Sequence, residues 1–357
     1  MNPPLLLEKS ALSWKVFDQM AKFPTTRYMG SKYKLLDFIW DNVKDLKFNS
    51  VLDAFSGSGS VGYMFKTKGK RVSTNDVLRY AACISSATIE NSSETIEDDE
   101  SKLILSTPVK TDGFICKTFE GLYFEEEEYR FLERIMHNIS LLNSKYKKSI
   151  AIAALCKACI KKRPRGIFTY TGNRYDDDRK DLRLSLEEHF INAVNEFNQA
   201  VFDNGQSNQT FFGNIFSLQN NNFDLVYIDP PYFSLRSDND YLRRYHFVEG
   251  LCSYWRSAEI DFSTKTKKLK KQITRFDSRQ TVYKAFDDLF SMFPYSILVV
   301  SYSSNSLPTK EEMIELLKRH KKHVKVGELN HKYSFGNHNH KIGNNANSVK
   351  EYLFIAH

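Results

Sequence analysis

Apolar positions along this chain come in two rhythms. Short runs too brief for helices appear first at Asn49-Ser-Val-Leu-Asp-Ala-Phe55 and again at Arg71-Val-Ser-Thr-Asn-Asp76. Between them lie a Gly/Ser loop and an apolar segment, Val61 to Phe65, that predicts a helix. Strand, glycine turn, helix, then a strand ending in an acid is the order of a mononucleotide-binding half-unit. From about Glu90 to Asn208 the β rhythm stops. Segments such as Glu125 to Met136 and Ser144 to Lys162 predict helices, and the whole stretch reads as an insertion. The rhythm resumes at Thr210 to Phe216 and Phe223 to Asp229. Ser296 to Tyr302 follows, nearly all apolar, as a strand covered on both faces requires. Glu311 to His320 predicts a helix, and His323 to Leu329 with Glu351 to Ile355 a final antiparallel pair. The fold class is therefore α/β, with residues 1–88 and 206–357 forming one domain and 89–205 an inserted, mostly helical one.

Composition changes this picture little. With 357 residues, 41% of them hydrophobic, the chain can bury a sizeable core. The 51 basic and 43 acidic residues leave +8, a modest lean toward a polyanionic partner. Patterning says more: Lys265-Thr-Lys-Lys-Leu-Lys-Lys-Gln-Ile-Thr-Arg275 carries one sign only, and Lys161-Lys-Arg-Pro-Arg-Gly166 precedes the polar aromatic stretch Phe168 to Tyr175. The five cysteines suggest no disulfide framework, which fits a reducing, cytoplasmic setting. Cys156 and Cys159 read as buried small hydrophobes within a helix. The N-terminus is no convincing signal peptide, and no apolar run reaches membrane-spanning length. The His- and Asn-containing stretch from Ser334 to Ser348 has irregular spacing and no carboxylate, so it predicts a polar loop and no metal site.

Two segments carry candidate chemistry. In Asp53-Ala-Phe-Ser-Gly-Ser-Gly-Ser60, Gly57 and Gly59 permit a tight turn that a ligand can approach closely. The pattern lacks both the dinucleotide fingerprint and the Lys-Ser/Thr end of a phosphate loop, so a dehydrogenase reading fails. Asp53 suits a ligand with an amine-bearing end, and Asp76 can accept hydrogen bonds from ribose hydroxyls. S-adenosylmethionine has both groups and no pyrophosphate. The second segment is Asp229-Pro230-Pro231-Tyr232, at the end of an apolar strand. Two prolines stiffen the backbone and remove its donors. The Asp229 carboxylate and the Pro230 carbonyl can hold the two hydrogens of a weakly nucleophilic aromatic amine, orienting its lone pair toward an electrophilic methyl group. Tyr232 offers a flat face for the ring. A third segment, Arg27-Tyr-Met-Gly-Ser-Lys32, predicts a loop over the same pocket, with Tyr28 and Lys32 touching cofactor or base.

These segments, in this order, resemble the DNA adenine-N6 methyltransferases of the Dam-like (D12) class, which includes restriction-modification methylases. The residues that carry the likeness are Arg27 to Lys32, Leu52 to Gly59, Asn75-Asp76 and Asp229 to Tyr232. The resemblance implies a Rossmann-like S-adenosylmethionine-dependent methyltransferase sheet with a target-recognition domain inserted between the second and fourth strands. It implies a cofactor site of Tyr28, Met29, Gly30, Lys32, Asp53, Ala54, Phe55, Ser56, Gly57, Gly59, Asp76 and Asp229, with Asp229, Pro230, Pro231 and Tyr232 catalytic. Where the family often has an acid before a Phe near the cofactor adenine, this chain has Gly213-Asn214-Ile215-Phe216, so Asn214 and Ile215 take that place. Tyr241 to His246 resembles the segment that closes over target or DNA, and Asn305 is similar to the family at its position. The implied partner is double-stranded DNA, read by a monomer, with a cognate restriction endonuclease acting as a separate protein. An adenine methyltransferase acting on RNA, and an inactive nucleic-acid-binding module of the same fold, are the rival readings. The second predicts degraded loops, and both loops look intact.

Overall fold

The computed structural model of the chain describes residues 19–172, 180–219, 222–234, 240–332 and 348–357. The extreme N-terminus, residues 173–175 of the polar aromatic stretch, and the predicted polar loop up to residue 347 lie outside the described residues. In chain order the elements are α1 (Leu36–Val43), β1 (Ser50–Asp53), α2 (Ser60–Thr67), β2 (Arg71–Asp76) and α3 (Arg79–Ser85). Then come α4 (Asp98–Ser106), α5 (Phe114–Phe119), α6 (Glu126–Ser140), α7 (Lys145–Lys162) and α8 (Leu186–Ala200). β3 (Gln209–Phe212), β4 (Leu225–Ile228), α9 (Tyr241–Arg244), α10 (His246–Cys252) and α11 (Arg279–Ser291) follow. The chain closes with β5 (Ile297–Ser303), α12 (Lys310–Lys318), β6 (Val324–Lys332) and β7 (Ser348–Ala356).

The seven strands form one sheet in the order β3-β2-β1-β4-β5-β7-β6. The first five run parallel, and β7 enters antiparallel between β5 and β6. Every residue of β1 and β4 is buried, as their apolar runs predict. Alternation divides them between two cores. Leu52, Val226, Ile228, Leu298 and Val300 pack with Phe286, Leu289 and Phe290 of α11. Val51, Leu225, Tyr227 and Val299 pack with Leu36 and Ile39 of α1 and Phe65 of α2. β3 is shorter than its apolar stretch predicts. It stops at Gly213, whose φ of 147° turns the chain, and Asn214 then caps a short turn by accepting from the Phe216 amide at 3.1 Å.

Between β2 and β3 the described chain is helical, and its third core joins Tyr80, Leu132, Ile135, Leu155, Cys156, Cys159 and Phe190. Four capping boxes fix the starts of α4, α6, α8 and α12. That core also takes in Tyr245, Phe247, Leu251 and Trp255 from beyond β4, so the helical lobe draws on two separate stretches of chain. Cys156 and Cys159 are buried and unbridged. Among the described residues no helix is long and apolar enough to cross a membrane.

The basic run at 161–163 turns inward. Lys161 pairs with Glu196 at 3.5 Å, and Lys162 with Glu128 at 3.3 Å. Arg163 is fully buried and donates to the carbonyls of Tyr123, Tyr170 and Gly172 at 3.1, 3.0 and 3.2 Å. These three side chains brace the lobe. Arg163→Met leaves three carbonyls without that donor and is expected to lower stability by about 3 kcal/mol in urea denaturation.

Candidate active site at the sheet reversal

Strand order reverses between β1 and β4, and open α/β sheets bind ligands at the carboxyl ends of such strands. Asp53 pairs in register with Tyr227. Asp229 therefore follows two residues beyond Asp53's partner, and the two acids end neighbouring strands at the same crevice. The Ala54 amide donates to the Tyr227 carbonyl at 2.9 Å, fastening the two strand ends together.

Asp53 is 1% exposed. Its Oδ2 accepts the Gly62 amide at 3.0 Å, and its Oδ1 is buried with no hydrogen-bond partner among the described residues. Burial, followed by the negative charge of Asp229, pushes the Asp53 carboxyl up to about 8. An acid held this way is an acceptor waiting for a donor or a cation. Asp76 is also buried, and burial pushes it up to about 6. It organises the turn opposite: Oδ2 accepts the Gly57 amide and Oδ1 the Leu78 amide, both at 2.8 Å. Beside it, the Asn75 amide donates to the carbonyls of Ala54 and Gly213 at 3.2 and 3.3 Å, joining the ends of β1 and β3.

The glycines are required where they stand. Gly57 has φ +50° and Gly59 φ +77°, and a Cβ on Gly57 would lie 3.0 Å from the Tyr28 ring. Ser56 and Ala54 are buried in the same turn. Phe55 meets Phe276 edge-on at 5.5 Å, and Phe276 stacks on Phe216 at 6.1 Å. The Arg275 guanidinium lies 4.2 Å over Phe216. The basic run thus ends on an aromatic rim next to exposed Asn214 and buried Ile215.

The Arg27–Lys32 loop folds over this crevice. The Lys32 ammonium is 4% exposed and meets Asp229 Oδ2 at 2.8 Å and the Gly30 carbonyl at 3.0 Å. It also lies 5.0 Å over the Tyr232 ring. The Tyr232 hydroxyl donates toward Asp229 Oδ1 at 3.0 Å. Burial pushes the Asp229 carboxyl up, against the opposing pull of Lys32. Pro230 is buried and Pro231 half-buried, and two residues on the Phe233 carbonyl accepts the Leu307 amide at 3.0 Å, tying the loop to the chain after β5. The structure brings Tyr28, Gly30, Lys32, Asp53, Gly57, Asp76, Asp229 and Tyr232 into one neighbourhood, while exposed Asn305 lies in the turn after β5.

Three site residues escape the sequence reading. The Tyr245 hydroxyl accepts the Met29 amide at 2.7 Å, and its ring stacks on Tyr28 at 5.1 Å. Glu249 accepts the Arg79 and Tyr80 amides at 2.8 and 3.1 Å, capping α3 just beyond Asp76; burial pushes it up to about 7. Glu351 approaches the Tyr232 hydroxyl at 3.3 Å. Each lies far along the chain from its partner, and only Tyr245 falls in a segment already singled out.

The remaining basic run, 265–271, is irregular and presents Lys265, Lys268 and Lys271 without an acidic partner among the described residues; Lys270 alone pairs, with Glu259 at 2.8 Å.

Type II methyltransferase M2.HphI of Haemophilus parahaemolyticus is 30% identical over 327 residues, covering 87% of this chain and 93% of that protein. Modification methylase LlaI of Lactococcus lactis subsp. lactis is 26% identical, and type II methyltransferase M.FokI of Planomicrobium okeanokoites 27%. Each alignment covers 82% of this chain, which spans about half of those two proteins, 48% and 47%. The family described as D12 class N6 adenine-specific DNA methyltransferase matches residues 28–305, from the Tyr28 loop to Asn305. On that span, which takes in both acids of the crevice, the chain belongs to the D12 class of methyltransferases.

Proposed function

We propose that this chain transfers a methyl group from S-adenosyl-L-methionine to the exocyclic amine of a flipped adenine in double-stranded DNA. The observation that carries this reading is the pair of acids at the sheet reversal. Asp53 offers a buried, unsatisfied oxygen for a cationic group, and Asp229 ends the adjoining strand beside it.

The residues present fit the cofactor. Asp53 would take its amino-acid end, Asp76 its ribose, and the Gly57–Gly59 turn its close approach, with Met29, Ala54, Phe55, Ser56, Asn214 and Ile215 around them. When bound, the cofactor supplies an electrophilic methyl on a sulfonium. The chain's own residues do the rest. Asp229 and the Pro230 carbonyl hold the two amine hydrogens, which turns the lone pair toward the methyl. Positive charge grows on the nitrogen during transfer; the Asp229 carboxylate stabilises it and, as the acceptor of an amine hydrogen, would take the proton that the methylated nitrogen must shed. Pro231 keeps the loop rigid, and Tyr232 lies beside the base. An adenine in a duplex is paired and out of reach, so it must leave the stack.

Residues 89–205, which we read as the target-recognition domain, and the lysines at 265–271 would hold the duplex, phosphate contacts positioning it and a few side chains reading base edges. The relatives' names support a place in a restriction-modification system; the endonuclease would be a separate protein.

Asp229→Ala is expected to cut single-turnover methylation of duplex DNA by about a thousandfold or more while calorimetry still detects cofactor binding. Base-resolved mapping should find the product as N6-methyladenine in DNA. Methyl found only in RNA moves the assignment to an RNA enzyme.

Asp53 gives a pH test. Its carboxyl, pushed up to about 8, is protonated in the free protein at pH 7. Ionisation favours the unfolded chain, so this group costs stability increasingly as pH rises from the ordinary carboxylate range toward 8. Asp53→Asn should therefore gain in Tm relative to the parent between pH 5 and 8, yet bind cofactor weakly. Capture of an ammonium by the parent at pH 7 should release a proton, seen as buffer-dependent binding enthalpy.

Replacing Lys268 and Lys271 with Ala should weaken DNA binding alike for all sequences. The slope of log affinity against log salt should fall by roughly two if each lysine meets one phosphate.

A further inference from the structure

The mechanism above accounts for both hydrogens of the target amine and leaves the rest of the base unheld. The amine of adenine sits between two ring acceptors, N1 and N7. Asp229 and the Pro230 carbonyl are acceptors as well, so gripping the amine brings protein lone pairs up to ring lone pairs. A pocket built that way needs a donor beside Asp229. Lys32 stands there, but its ammonium is turned to Asp229 Oδ2 at 2.8 Å, to the Gly30 carbonyl at 3.0 Å and to the face of Tyr232.

Tyr241, the first residue of α9, brings a second donor to the same place. Gly30 has φ +75°, and a Cβ there would lie 2.8 Å from the Tyr241 hydroxyl. Gly30 thus leaves the room that this hydroxyl occupies. The phenol stands next to the glycine whose carbonyl Lys32 ties to Asp229. Its ring lies 6.1 Å from that of Tyr28, which stacks in turn on Tyr245 at 5.1 Å. Burial, and then the charge of Asp229, push the Tyr241 hydroxyl up. It therefore keeps its proton at neutral pH and can donate. Within that stack the Tyr245 hydroxyl serves the protein, accepting the Met29 amide at 2.7 Å. The Tyr241 hydroxyl makes no hydrogen bond among the described residues, and its residue is only half-buried. A phenyl ring would pack on Tyr28 equally well, so the hydroxyl is surplus to packing.

We propose that the Tyr241 hydroxyl reads the flipped base, donating to a ring nitrogen that flanks the target amine. This rests on the reading of Asp229 and Pro230 as acceptors of an adenine amine. A donor at N1 or N7 offsets the meeting of lone pairs at that edge. It also fixes the base in its plane, so that the amine stays aligned with the incoming methyl.

The test is single-turnover methylation, at saturating cofactor, of a duplex bearing the mapped site. The target adenine is left intact or replaced by 1-deazaadenine or 7-deazaadenine, and the parent is compared with Tyr241→Phe. Each analogue keeps the amine and loses one ring acceptor. On adenine, Tyr241→Phe should be slower by about tenfold, the loss of one neutral hydrogen bond. On the analogue that lacks the partner nitrogen, parent and variant should run alike. Equality on 1-deazaadenine identifies N1, and equality on 7-deazaadenine identifies N7. Altered pairing or stacking of an analogue acts on both proteins and cancels in the comparison. A deficit of the same size on all three bases overturns the proposal, because a packing role cannot sense which nitrogen is missing. A variant as fast as the parent on adenine overturns it too. Should Tyr241→Phe fail to fold, the parent decides alone: slowing on one analogue only supports the proposal, and equal rates on all three bases overturn it. If the parent methylates no adenine in DNA, the functional assignment falls as well; if it does and the deficit is uniform, only this inference falls.

Discussion

Everything at this site depends on the parallel pairing of β1 with β4. The register Asp53↔Tyr227 sets two carboxylates at one edge of the crevice, where the charge of Asp229 raises the cost of ionising Asp53. Left alone, such a pair would be a liability. The chain manages it with unequal partners: Asp229 receives an ammonium from Lys32, whereas Asp53 accepts the Gly62 amide and keeps one oxygen with no partner among the described residues. Two acids from similar strand ends thereby acquire different chemistry. One is held in a hydrogen-bonded acceptor geometry, and the other is an open socket.

Much of this was legible in the sequence because it is local. Apolar runs of strand length, the glycines at 57 and 59, and the prolines at 230 and 231 each act within a few residues of themselves. Their conformational demands are written at the position where they are met. The buried faces of β4 and β5 follow from unbroken apolar stretches.

What the sequence hides is non-local. Nothing near Glu249 says that its carboxylate caps a helix 170 residues earlier, and nothing near Glu351 says that it reaches Tyr232. A charged residue at the start of an apolar strand looks like a solvent-facing end until β6 covers it. The basic run at 161–163 misleads for the opposite reason. Charge is visible in sequence, but the carbonyls and acids that absorb it come from other helices. The run at 265–271 looks the same by composition, and its lysines remain largely without acidic partners among the described residues.

α10 and the residues just before it join the two halves of the molecule. Tyr245 holds the Met29 amide on one side of the crevice, and Glu249 holds the start of α3 on the other. Phe247 and Leu251 meanwhile belong to the core of the helical lobe. The lobe is therefore not a cassette that can be lifted out between two neighbouring cuts. A chimera that exchanges residues 89–205 alone would set a foreign helical core against a native α10. Exchanging the lobe on this scaffold requires moving two separate pieces of chain together, with the Tyr245 and Glu249 contacts kept as the shared joint.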